Sequence, residues 1–333
     1  MHQTATICAI STPPGIGGIA VVRITGPQAI AIADSIWHGL SLAQTPSHTA
    51  RVGYVNDTDG SKLDQAVATV YRAPRSFTGD DTVEIATHGS RYVQRQILTT
   101  LTHAGCRIAD PGEYTRRAFM AGKLDLAQAE AVADVIASSS RAAHRIAVSQ
   151  LDGAFSRRLD NMRQQLIDLA ALLELELDFS EEDVEFASRQ RLQTLADNLL
   201  DEITRLLKSF DAGQAIKEGI PVAIIGAPNV GKSSLLNRLL GNDRAIVSDI
   251  PGTTRDTVEE TLDINGYLFR FIDTAGLRDT DDPVEKIGID RTRLAKEKAT
   301  IILNLTTPSD PQTTTNDADH TAATNTTAPD AST

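Results

Sequence analysis

Apolar and polar residues alternate with a period of two through the first third of the chain. ATICAI, GIAVVRI, ARVGYV, AVATVYR and TVEIATH are short β-branched runs bounded by Gly, Pro or Asp, a pattern that predicts strands. Segments near 28–37 and 91–103 read as helices. Residues 1–118 are therefore expected to form an α+β domain.

The period then changes. From 119 to 216 turn residues almost vanish, and the pattern predicts long helices. Phe155, Leu159, Met162, Leu166, Leu169, Leu173 and Leu177 recur at spacings of three and four. Leu192, Leu195, Leu199, Ile203, Leu206 and Phe210 do the same. Each set makes one apolar stripe, expected to be a core or bundle face. The acidic connector DFSEEDVEF between them reads as a solvated loop ahead of a metal site.

From 217 to 305 the pattern alternates strand, loop and helix, as in an α/β domain. IPVAIIG is an expected strand, and a helix runs from Ser233 through LLNRLLG. TVEETLDI and YLFRFID are expected to flank a turn at Asn265-Gly266. Pro283–Lys298 reads as a helix and TIILNL as a buried strand. Residues 306–333 contain no Leu, Ile, Val, Phe, Lys or Arg, so they cannot bury enough surface to order and are expected to be disordered.

Composition narrows the class. Hydrophobic residues are 41% and charged residues 23%, an ordinary globular mix. No apolar run approaches the ~18 residues of a membrane span, and MHQTATICAISTPPG does not read as a signal peptide. A cytoplasmic protein without membrane contact is expected. Cys8 and Cys106 form no metal-ligand cluster and are expected to stay reduced. A net charge of -12 argues against a general nucleic-acid coat but leaves room for a local basic face.

Gly226 to Ser234, GAPNVGKSS, matches G-x-x-x-x-G-K-[ST] between an expected strand and an expected helix. In that setting loop N–H groups and a helix N-terminus surround an anion. Lys232 neutralises β- and γ-phosphates and the Ser233 hydroxyl ligates Mg²⁺. Downstream, Asp273-Thr274-Ala275-Gly276 offers an Asp for a Mg²⁺-bound water and a Gly N–H for a γ-phosphate. In GTTRD, Thr254 is the expected switch threonine over Mg²⁺. The residue after the D-x-x-G is Leu277, which cannot orient water, so Arg278 or Glu285 must serve catalysis. PPGIGGIA contains G-x-G-x-x-A, but a strand follows it, so a β-turn is expected and not a dinucleotide fingerprint. In PGEYTRRAFMAGK, Arg116, Arg117 and Lys123 are either a solvated helix start or an anion site.

Taken together, PPGIGGIAVVRITG, SFTGDDTVEIATHG, PGEYTRRAFMAGKLDLAQAEAVADVI, GAPNVGKSSLLNRL, AIVSDIPGTTRD and DTAGLRDTDDPVEKIGIDRTR resemble the MnmE (TrmE) family of bacterial tRNA modification GTPases. The resemblance covers residues 4 to about 305. It implies an N-terminal α+β folate-binding and dimerisation domain, a helical domain, and a P-loop GTPase domain inserted in the latter. It implies a K⁺-activated GTP hydrolase that works with the flavoprotein MnmG on the wobble uridine of tRNA at carbon 5. Asn229 and the backbone oxygens of Ser248, Ile250 and Thr253 would hold K⁺; Ser233 and Thr254 would serve Mg²⁺; Glu285 would position the attacking water. The implied GTP-binding set is Asn229, Val230, Gly231, Lys232, Ser233 and Ser234, then Ser248, Asp249, Ile250, Pro251, Gly252, Thr253 and Thr254, then Asp273, Thr274, Ala275 and Gly276. Arg23, Glu84 and Lys123 match positions that contact a 5-formyl-tetrahydrofolate-like one-carbon donor.

The sequence departs from the family pattern after TIILNL. The guanine-reading Asn-Lys-x-Asp, the later G-domain strands, the second half of the helical domain and its Cys-x-Gly-Lys have no counterpart in these residues. A C-terminally shortened family member is the expectation, with a partial G domain at 217–305. A non-catalytic, folate-binding, dimerising fragment is the alternative. A ribosome-assembly GTPase with a K⁺-type loop is disfavoured by residues 1–215 and Glu285.

Overall fold

A computed structural model describes residues 5–178, 189–227, 230–242, 260–272 and 296–306. The chain divides into two compact units, Met1–Glu218 with Asn265–Tyr267, and Gly219–Ile264 with Leu268–Thr333.

The first unit is built on a seven-stranded sheet of β1 (Ile7–Ile10), β2 (Gly17–Thr25), β3 (Trp37–His38), β4 (Thr49–Asn56), β5 (Lys62–Tyr71), β6 (Thr82–Gly89) and β7 (Arg107–Ile108). Its order is β3-β4-β5-β6-β2-β1-β7. Every pair is antiparallel except β1 with β7. The alternation expected from sequence is realised on one face. Val22, Ile24, Ala66, Ala68, Val70, Val83 and Ile85 point inward and are buried. Helices α1 (Ala29–Ser35) and α2 (Arg91–His103) cover them with Ala29, Ala33, Ile97 and Leu101. Cys8 and Cys106 are free thiols buried in the same core. Gly89 lies where a Cβ would meet the Gly17 carbonyl at 2.4 Å, so the β2–β6 junction tolerates no side chain there. Strands β3 and β7, two residues each, carry too little pattern to be read from sequence.

Five helices follow: α3 (Glu113–Met120), α4 (Leu126–Ala137), α5 (Arg141–Leu151), α6 (Ala154–Asp178) and α7 (Arg189–Glu218). The expectation of long helices from 119 needs correction, because two short ones precede the long pair. Asp125 caps α4 in a capping box with Gln128, and Ser140 caps α5 through the Ala143 N–H. The side-chain amides of Gln128 and Gln150 donate to the Leu151 and Ala127 carbonyls, tying α4 to α5. On α6 and α7 the apolar stripes are only partly covered. Met162 and Leu199 are buried, whereas Phe155, Leu159, Leu166, Leu173, Ile203 and Phe210 stay exposed. Two helices packed along one line cover a narrower strip than the stripes span.

The second unit holds β8 (Ile220–Gly226), α8 (Lys232–Asn242), β9 (Glu260–Ile264), β10 (Tyr267–Phe271) and β11 (Ile301–Leu305). The sheet order is β11-β8-β10-β9, with β8 parallel to both neighbours. Asn265 and Gly266 join β9 to β10 with positive φ at both residues, the geometry of a tight hairpin turn. Val222, Ile224, Leu262 and Phe271 of the sheet pack with Leu236 of α8. Strand β11 ends the sheet among the described residues, with Ile301 and Ile302 exposed, so its reading as a buried strand is corrected. Of the expected helix at Pro283–Lys298 only 296–298 falls within the described residues; the acidic connector at 179–186 and the tail beyond 306 fall outside them.

Candidate functional site

Two places carry chemistry, one in each unit. In the first, β2 and β6 align Arg23 opposite Glu84, and β5 adds Thr69 to the same row. The Arg23 Nε and Nη2 both lie 2.8 Å from Glu84 Oε1. The guanidinium sits 5.5 Å from the centroid of Tyr114 and 5.6 Å from that of Phe77. Such placement lets rings and ion pair fix one another. Tyr114, on α3, donates its hydroxyl to the Arg23 carbonyl at 2.7 Å, and burial pushes its phenol upward in pKa. Tyr71 reaches Glu84 Oε2 at 3.5 Å; burial, then the Glu84 charge, raise its phenol. The pair and its rings thus form a partly exposed polar cluster, Arg23 and Glu84 each 27% exposed, that offers guanidinium donors and a carboxylate acceptor.

Lys123 joins this site through the 72–81 loop. Its ammonium donates to the Pro74 carbonyl at 2.5 Å, and Phe77 of the same loop covers Arg23. Gly79 packs against Ala121 and Lys123, at φ 83, which keeps the loop close to the lysine. The 72–81 loop therefore touches both Arg23, through Phe77, and Lys123, through Pro74, and Arg23 in turn holds Glu84. Tyr71, Phe77 and Tyr114 are site residues that sequence reading missed. Tyr114 carried a signal, since it stands in the first turn of α3, just after the Pro111-Gly112 turn, beside the charged residues Glu113, Arg116 and Arg117.

The basic group at the start of α3 divides. Arg117 is not a solvated residue: it is buried and bonds Glu113 Oε1 at 3.0 Å and the Ala5 carbonyl at 2.8 Å. Arg107 approaches the same carboxylate oxygen at 2.6 Å. Burial alone would raise the Glu113 carboxyl; the Asp110 N–H, Arg107 and Arg117 overcome it and hold the group at about 2. Arg116 remains exposed.

In the second unit, β8 delivers the chain to a glycine bend. Gly226 has φ 152, and a Cβ there would meet the Leu305 carbonyl at 2.4 Å and Val230 Cγ1 at 2.9 Å. Gly231 has φ 99, and among the described residues no atom comes within 4 Å of an added Cβ. Lys232 then begins α8, its ammonium bonded to the Gly226 and Ala227 carbonyls at 3.0 and 2.8 Å. A cation curled over a glycine loop at a helix N-terminus, beside a parallel strand end, fits an oxyanion such as phosphate. Val230, Gly231, Lys232, Ser233 and Ser234 all lie on this bend or the first turn of α8. Asn229, Ser248–Thr254, Asp273–Gly276, Arg278 and Glu285 lie outside the described residues.

A groove of about 660 Å³ lies elsewhere, between α2 and the β1–β2 loop, and none of the named site residues lines it. Among the described residues no cluster of His, Cys, Asp and Glu could hold a metal, and no helix is long and apolar enough to cross a membrane.

Comparison with known proteins adds lineage to geometry. Residues 6–123 match the family model of the GTP-binding protein TrmE N-terminus, and residues 126–328 match that of the MnmE helical domain. The chain is similar to the tRNA modification GTPase MnmE of Parabacteroides distasonis, 56% identical over 304 residues, covering 90% of this chain and 66% of the relative. The proteins of the same name from Porphyromonas gingivalis and Bacteroides thetaiotaomicron are each 51% identical, over 302 and 309 residues. These cover 90% and 92% of this chain, and 64% and 66% of the relatives. The chain thus spans just under two thirds of the length of the curated relatives it matches. An N-terminal TrmE domain and a helical domain are present, and the chain belongs to the MnmE (TrmE) family.

Proposed function

We propose that the chain acts as a GTP hydrolase in tRNA modification, of the K⁺-activated MnmE type. The observation that carries this is the bend from β8 into α8, where Lys232 closes over two loop carbonyls at the head of the helix. In this reading the loop N–H groups and Lys232 bind the phosphates of GTP, and Ser233 with Thr254 serves Mg²⁺. Asn229 and the backbone of Ser248, Ile250 and Thr253 hold K⁺, which supplies charge where other GTPases use an arginine. Glu285 positions the attacking water, with Arg278 beside it. The G domain spans 217–305, the helical domain begins near 119 and the N-terminal domain ends near 118.

The Arg23–Glu84 cluster with Lys123 takes a 5-formyl-tetrahydrofolate-like one-carbon donor. The chain works as a homodimer through its N-terminal domain, with the flavoprotein MnmG and tRNA in the cytoplasm, on the wobble uridine at carbon 5. Phosphate release from GTP, measured in KCl and in NaCl, tests the reading. Hydrolysis that is faster in K⁺ and lost in Lys232→Ala is expected. Absence of hydrolysis in both salts, with 5-formyl-tetrahydrofolate still bound, would favour the non-catalytic folate-binding fragment.

A further inference from the structure

The sheet face opposite α1 and α2 carries three successive rows of side chains. The first row is Arg23, Glu84 and Thr69. Next come Val21, Ala86, Val67 and Val52, directly paired across four strands. This second row is an apolar shelf open to water, with Val67 39% and Val52 67% exposed. Two residues further along β6 stands His88, and Tyr54 pairs with Gln65 beside it. At a strand rise of about 3.3 Å per residue, Glu84 and His88 lie about 13 Å apart.

The His88 end is built with care. Asp64 accepts from both the His88 backbone N–H and its Nδ1, each at 2.8 Å. That double hold fixes the ring and turns Nε2 outward; the side chain is 71% exposed while Asp64 is only 12%. Lys62 places its ammonium 4.2 Å from the centroid of Tyr54, on the same end of the face. No acceptor among the described residues engages the Lys62 ammonium. The face therefore runs from the Arg23–Glu84 pair flanked by aromatic rings, over an apolar floor, to the nitrogens of His88 and Lys62.

We propose that His88 and Lys62 bind the terminal carboxylate of the folate-type ligand whose heterocycle is read by Arg23 and Glu84. The occupant is a single pteridine–aminobenzoyl–glutamate molecule lying across the shelf. This rests on the folate reading of the Arg23–Glu84 cluster. Charge complementarity selects the orientation: the cluster supplies donors and an acceptor to a ring, the shelf suits an aromatic linker, and the far end suits an anion.

The test compares two ligands on the full chain by equilibrium dialysis: 5-formyl-tetrahydrofolate, and 5-formyl-tetrahydropteroate as its neutral methylamide, which keeps the amide and lacks every carboxylate. The wild type should prefer the folate by about 10-fold, the range of a charge-assisted hydrogen bond. His88→Ala with Lys62→Ala should erase that preference and leave pteroate affinity unchanged, which also shows that the domain remains folded. Arg23→Ala should weaken both ligands. An undiminished preference in the double variant would overturn the inference and spare the folate reading. A wild type that binds neither ligand would overturn both. A double variant that only shifts sedimentation would show the face to be a contact between copies of the chain, and would also overturn the inference.

Discussion

Glu113 is the residue on which the first unit concentrates its charge. It is 1% exposed and shared by Arg107 and Arg117. Removing one partner of a buried ion network leaves the others uncompensated, at about 3–5 kcal/mol. Glu113→Ala should lower unfolding stability by that order in urea at pH 7. The carboxyl is held at about 2 against an ordinary value of 4.5. A carboxyl with a depressed value stabilises the fold above its unfolded value, and that contribution is lost as pH falls toward the folded one. Melting temperature should therefore drop between about pH 4.5 and pH 2, with a shallower slope in Glu113→Gln. Equal slopes would show that other groups dominate acid unfolding. At the second site, Lys232→Ala removes a charge-assisted contact and should weaken binding of a fluorescent GTP analogue about 10- to 100-fold.

At the scale of elements, burial decides which positions matter. Leu199 of α7 is buried, whereas Leu207 on the same helix is exposed. Leu199→Ala should cost about 2–5 kcal/mol, while Leu207→Ala should stay within about 0.5 kcal/mol; denaturant titration separates them. Gly226→Ala should push β11 away from β8, because its Cβ would sit 2.4 Å from the Leu305 carbonyl. Faster amide exchange at 301–305 would report the displacement. Strands with strict alternation, such as β2 and β6, were legible in the sequence, as were α2 and the glycine bend after β8. The aromatic walls around Arg23 were not, because Phe77 and Tyr114 reach it from a loop and a helix that local pattern cannot place together. The Glu113 network was hidden for a similar reason. Its arginines look like a solvated helix start until the fold brings Arg107 and the Ala5 carbonyl beside them. The short helices α4 and α5 escaped because their breaks, at Asp125, Ser140 and Asp152-Gly153, are single polar or small residues in an otherwise helix-like run.

Across the whole chain, the two sheets differ in how their strands are gathered. All seven strands of the first sheet are complete by Ile108. In the second, β8 ends at Gly226, but its neighbours end only at Phe271 and Leu305. Both partners of the strand that leads into the glycine bend are thus encoded after it. During synthesis at about 5–20 residues per second, β8 waits about 4–16 s for the strand whose carbonyl meets Gly226. The first sheet can close long before that interval begins. A ribosome-bound chain arrested before Thr300 is therefore expected to hold a protease-resistant N-terminal unit and to retain no GTP. The order of the strands makes completion of this sheet, and of the glycine bend it carries, a late event in the birth of the protein.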